Sequence, residues 1–330
     1  MRRVLAAVAL TLALTAAPIR AWRMFSEPSD GKIRPVQALN DAGKPREVLD
    51  ALTPQFIATL RGTDLRQAYV LLGDNLKKIG RPDEALSQYQ LGVTLFPKNV
   101  DLLVRQGIVL HASGLDDQAR PLFERVLTIE PRHWNAHQGL AEIDRRNGFL
   151  DRSAAHYEAA LESVENRADI WRDYAEVLLD MREYKTADLA LRKSLELEPR
   201  SADARVLLAF ARRAQGDLLG AADDLEVAAG LGGGAGARRA KALVLLEAGS
   251  LDEAKAAADA VLAEVPGDAA ALWVRARVRL AHGDYDGAQR ELAAAKSPDE
   301  REGFAVKADR ALATQIKDLK ARREEAFYQR

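Results

Sequence analysis

Cysteine is absent from all 330 residues. That removes disulfides, thiolate metal sites, a cysteine nucleophile and a lipid anchor on cysteine. Aromatic residues supply only 6% of the chain, and neither sign of charge prevails: 48 Lys and Arg stand against 49 Asp and Glu, a net charge of −1. No global basic field exists to draw nucleic acid or an anionic membrane surface. β-Branched residues are sparse while alanine and leucine are plentiful, which favours helix almost throughout. Hydrophobic residues make up 48%, too many for a disordered chain. The apolar run from Val4 to Pro18 is shorter than the roughly 20 residues that a comfortable membrane span needs.

Arg2 and Arg3 precede that run, and Ala21 follows it as a small residue suited to cleavage, with Ile19 two places before it. Residues 1–21 resemble a bacterial Sec signal peptide, or a short anchor if left uncleaved. The corresponding expectation is a periplasmic or secreted protein of the cell envelope. Arg20 and Arg23 oppose translocation, however, and a start at Met24 gives a cytoplasmic protein instead. A mitochondrial presequence is the third alternative, for which the segment is too apolar and too poor in serine.

What the chain does have is a period of thirty-four. Leu72-Gly73, Gly80, Ala85, Tyr89, Leu95 and Pro97 recur, shifted by thirty-four, as Gln106-Gly107, Gly114, Ala119, Phe123, Ile129 and Pro131. Further steps give Leu140-Ala141, Gly148, Ser153 and Tyr157, then Tyr174-Ala175, Ala187, Leu191, Leu197 and Pro199. This spacing and residue set resemble the tetratricopeptide-repeat family. The resemblance implies an all-α fold, a right-handed superhelical solenoid of helix-turn-helix units. Each landmark has a physical reason. The turn glycines meet a left-handed backbone, the small residues let paired helices approach, and proline stops the second helix. Repeats are expected at 66–99, 100–133, 134–167, 168–201, 202–234, 235–268 and 269–297. A degenerate helical pair at 32–65 precedes them, and a mixed-charge capping helix over 298–330 closes the array.

The stretch "GLGGGAGARRAK", from Gly230 to Lys241, carries five glycines in its first seven residues. A phosphate-binding loop needs a strand before it and Gly-Lys-Ser/Thr leading into a helix; here a helix precedes it and alanine follows Lys241. Gly216 and Gly249 are thirty-three apart, so the stretch falls between two repeats and reads as a flexible joint or a space-saving turn.

Five histidines are present. His133 and His137 stand four apart, but two histidines seldom suffice as ligands, and a packed role is expected. Asp144 and Arg212 occupy first-helix places that are aromatic or aliphatic in other repeats, so local ion pairs are expected. No nucleophile motif appears. No catalytic residue, cofactor or metal is therefore expected.

By resemblance, the first helices line a concave wall that holds an extended peptide or a partner helix. The carboxylate clamp of one family variant is missing: Val70, Asp74, Arg105 and Gln138 occupy its places. The expected partner-facing residues are Arg105, Gln138, Glu142, Arg172 and Glu176 along a charged middle, and Val206, Phe210, Leu243 and Trp273 along an apolar later part. Trp273 stands open between two readings, groove or core, because Trp273, Ala276 and Leu280 share a helical face. The expected function is a non-enzymatic adaptor of the bacterial envelope that binds a protein or peptide and supports envelope-complex assembly, with a cytoplasmic regulatory scaffold starting at Met24 as the alternative. No nucleic acid and no membrane contact beyond the N-terminal segment are expected.

Overall fold

The computed structural model describes residues 31–295 together with Ser29, Thr314, Gln315, Lys317 and Asp318. The expected signal segment and most of the expected capping helix lie outside the described residues; the four described positions from 314 to 318 are helical. Contacts divide the chain into two compact units, Met1–Val164 and Glu165–Arg330. No strand occurs among the described residues.

The first unit opens with three short helices, α1 (Arg34–Asp41), α2 (Pro45–Ala51) and α3 (Pro54–Thr59). The sequence led us to expect one helical pair here. Pro45 and Pro54 each occupy a first helical turn, where a missing N–H costs nothing, and so cut the segment into three. Three antiparallel pairs follow: α4 (Gly62–Lys78) with α5 (Pro82–Leu95), α6 (Val100–Ala112) with α7 (Asp116–Ile129), and α8 (Trp134–Arg146) with α9 (Leu150–Leu161).

The second unit holds four pairs: α10 (Ala168–Asp180) with α11 (Tyr184–Leu197), α12 (Ala202–Ala214) with α13 (Leu218–Ala228), α14 (Gly234–Glu247) with α15 (Leu251–Glu264), and α16 (Ala269–Ala281) with α17 (Tyr285–Ala294). Side-chain caps start several of these helices. Asn99 accepts from the Leu102 amide at 2.9 Å and Asp268 from the Ala271 amide at 2.9 Å. Helices within a pair meet where one side is small. A Cβ on Gly107 would lie 2.7 Å from the Phe123 ring, and one on Gly139 would reach the same ring from the next repeat. Phe123 is consequently fully buried, as are Tyr89 and Leu191 at the equivalent second-helix positions.

The glycine-rich stretch is a tight kink between two helices. α13 continues into Ala229–Gly233, where the chain kinks at the non-helical Gly232, and α14 begins at Gly234. Gly232 (φ +114°) and Gly234 (φ +53°) adopt backbones that side chains rarely reach. A Cβ on Gly233 would sit 2.8 Å from the Ala228 carbonyl oxygen. Here the missing residue is absorbed by a close helix-to-helix junction.

Candidate functional site: the first-helix faces

In the first unit, the expected residues are drawn into local pairs. Arg105 follows the buried Val104, which occupies the place of Gln138 one repeat earlier. Its guanidinium donates to Asp74 at 3.0 Å, and Asp74 also accepts from the Tyr89 hydroxyl at 2.5 Å. Burial and the Asp74 carboxylate together push the Tyr89 hydroxyl far above its ordinary pKa. Gln138 and Glu142 lie one turn apart on α8, both half-buried, and Glu142 Oε2 is 3.0 Å from His111 Nε2.

Glu176 and Phe210 repeat the place of Glu142 at intervals of thirty-four, and Leu243 follows at thirty-three. Arg172 pairs with its neighbour Asp173 at 2.9 Å, and Glu176 is half-buried one turn further along α10. Val206 and Phe210, one turn apart on α12, are 37% and 51% exposed. Leu243 and Trp273 are half-buried and pack against one core cluster that includes Leu245, Val261, Val274 and Val278. Trp273 also touches the smaller cluster of Ala276 and Ala288. Its indole N–H is buried without a hydrogen-bond acceptor, and the Arg277 guanidinium lies 5.9 Å from the ring centroid. Trp273 is thus neither plain core nor plain surface. Arg277 in turn donates to the Gln315 amide oxygen at 3.1 Å, so part of the chain's own C-terminal segment stands at this face.

The charges flagged against the repeat pattern are paired, and they belong to a wider set. Asp144 is fully buried, 2.5 Å from Arg120 and 3.3 Å from Arg152. Arg212 lies 2.7 Å from Asp224, which also accepts from Arg205 at 3.0 Å. Sequence reasoning missed Arg279, which is 3.2 Å from Glu291. The signal was available. Asp144, Arg212 and Arg279 replace Leu76, Leu110, Leu178 and Leu245 of the other repeats, and each is followed twelve residues later by His156, Asp224 or Glu291. Repeats three, five and seven therefore join their two helices through charged or polar groups where the others use leucine.

The two histidines of the "HWNAH" stretch do not converge. His137 Nε2 meets the Pro131 carbonyl at 2.9 Å, and its Nδ1 faces His156 Nδ1 at 3.1 Å. Burial first, and then the charge of His137, lower the pKa of His156. Among the described residues no cluster of three or more potential metal ligands is found.

Family models described as "Tetratricopeptide repeat" match residues 70–136, 139–187 and 245–309, together more than half of the chain. The chain belongs to the tetratricopeptide-repeat family. A "Tetratricopeptide repeat protein 8" of Caenorhabditis elegans is 23% identical over 52% of this chain and 41% of its own length. A "Tetratricopeptide repeat protein 7B" of Homo sapiens is 26% identical over 54% of this chain and 22% of its own. The tetratricopeptide chain thus spans less than half the length of either curated relative. A solved tetratricopeptide repeat protein from Parabacteroides merdae ATCC 43184 superposes with a TM-score of 0.53 at 15% identity, covering 76% of this chain and 98% of that one. At that identity the likeness is one of fold. Tetratricopeptide repeats generally mediate protein–protein interaction and typically serve as non-enzymatic scaffolds.

Proposed function

We propose that this tetratricopeptide protein is a non-enzymatic adaptor of the bacterial cell envelope. Its partner is an extended peptide or a helix with apolar side chains, held along the first-helix faces of repeats five to seven. The observation that carries the reading is the exposed pair Val206 and Phe210, one turn apart on a first helix. Adjacent exposed apolar side chains are costly to leave in water and serve as anchors when a partner covers them. The half-buried Leu243 and Trp273 continue the apolar character on α14 and α16. The Gln315 contact to Arg277 makes the chain's own C-terminal segment a competitor for the far end of this face.

A photo-crosslinking residue placed in turn at Phe210, at Val206 and at Leu189 tests the site in the native host. Leu189 serves as the control because it is 64% exposed but lies on a second helix, α11. Capture at Phe210 and Val206 but not at Leu189 supports the groove; equal capture at all three overturns it. Removing residues 296–330 should strengthen capture if the cis segment competes. The envelope location rests on the apolar run after Arg2 and Arg3. N-terminal sequencing of the native protein decides it: a chain beginning at Trp22 supports export, and one beginning at Met24 supports the cytoplasmic alternative.

A further inference from the structure

His111, at the end of α6, has a carboxylate at each ring nitrogen. Nδ1 is 2.7 Å from Asp116 Oδ1, on the first residue of α7, and Nε2 is 3.0 Å from Glu142 Oε2 on α8. A neutral imidazole carries one N–H and can donate to only one of them. Its other nitrogen would then present a lone pair to a carboxylate oxygen at hydrogen-bond distance. Both contacts are favourable only for the imidazolium. The ring's pKa is accordingly raised, by the bond to Glu142 above all, with burial opposing, Asp116 adding and the Arg146 charge subtracting.

The neutral ring also has a place prepared for it. Arg146 Nη1 is 3.0 Å from both oxygens of Asp116, and its Nη2 stands 3.4 Å from His111 Nε2. A ring that keeps its Nδ1 proton on Asp116 and loses the one on Nε2 can accept from Arg146. Glu142 then loses its donor. The charged groups facing the ring are Asp116 from α7 and Glu142 and Arg146 from α8. α5, which also packs on α6, carries Asp83, Glu84 and Tyr89; Glu84 is held by Arg81, and the Tyr89 hydroxyl donates to Asp74.

We propose that His111 is a proton-operated latch between repeats two and three. When protonated it ties Glu142 to Asp116, and when neutral it turns over to Arg146 and frees the Glu142 carboxylate on the first-helix face. Because the folded pKa lies above the ordinary histidine value of about 6.5, the stability it contributes is full below that value. That contribution is lost as pH rises through the raised one. On the groove reading, the same transition leaves this face with one positive charge fewer; that consequence rests on the groove reading, and the latch itself does not.

Nitrogen-15 NMR of the histidine rings in the full chain, from about pH 5 to about pH 9 to span the ordinary histidine range, tests the latch. His111 should titrate above the ordinary histidine value of about 6.5, with both ring nitrogens protonated at low pH and Nδ1 alone protonated at high pH. Glu142→Gln should shift the titration downward, and Arg146→Gln should turn the neutral ring to the Nε2–H form. A His111 that titrates at or below the ordinary value of about 6.5, or that is Nε2-protonated when neutral in the wild-type chain, overturns the proposal. The wild-type titration decides even if a variant fails to fold. Loss of crosslinking at Phe210 with these resonances unchanged would sink the groove and leave the latch standing.

Discussion

Arg182 is the non-glycine residue with a left-handed backbone among the described residues, at φ +64°. It occupies the turn between α10 and α11, where the other six repeats place Gly80, Gly114, Gly148, Gly216, Gly249 and Gly283. A left-handed L-residue costs roughly 1–2 kcal/mol, and a glycine there gives back part of that through its freer unfolded chain. Arg182→Gly should therefore raise stability by up to about 1 kcal/mol in urea unfolding. At the apolar face, exposure separates two aromatic residues. Phe210 is 51% exposed, so Phe210→Ala should cost less than about 1 kcal/mol of folding while weakening partner capture. Trp273 packs on two clusters, so Trp273→Ala should cost about 2 kcal/mol, short of the 3–5 of a fully buried aromatic. Equal losses for the two variants would return Phe210 to the core.

At the scale of the element, period and turn residues made the helix pairs readable, because each landmark meets a local requirement that sequence states directly. Proline halts a helix wherever it falls, and a small residue opposite Tyr89 or Phe123 is needed whatever else the chain does. The three short helices before α4 were harder to read, since two prolines can either begin helices or end them. Individual side-chain contacts were harder still. Nothing in the sequence says that Arg105 turns to Asp74, or that His111 gathers carboxylates from two neighbouring helices, because both pairings depend on how successive repeats stack. The glycine-rich junction shows the same limit. Its composition predicts freedom, whereas its geometry uses the glycines unequally. Gly233→Ala should destabilise the second unit by about 1–3 kcal/mol, because the new Cβ meets the Ala228 carbonyl. Gly230→Ala, with open space at its Cβ and no left-handed backbone, should be neutral or stabilise by up to about 1 kcal/mol. If the two variants unfold at the same midpoint, the junction is a simple flexible joint. Amide exchange across Gly230–Gly236 faster than at Pro131 and Pro199 would support the same conclusion.

Within each unit, the helices of the repeats pack mainly on their neighbours in sequence. In such arrays stability approximates a sum of repeat and nearest-interface terms, so damage should stay near its source. Asp144 offers the sharpest lesion. It is fully buried between the partly exposed Arg120 and Arg152, and its removal should cost about 1–3 kcal/mol because their buried N–H groups lose an acceptor. Tryptophan supplies local probes: Trp134 lies on α8 of the first unit, and Trp273 on α16 of the second. In chains keeping only one of these tryptophans, Asp144→Ala should lower the urea midpoint reported by Trp134 and leave that reported by Trp273 nearly unchanged. Equal displacement of both midpoints would mean that the chain unfolds as one cooperative block. The charged pairings of repeats three, five and seven would then act on the stability of the entire array, and no longer repeat by repeat.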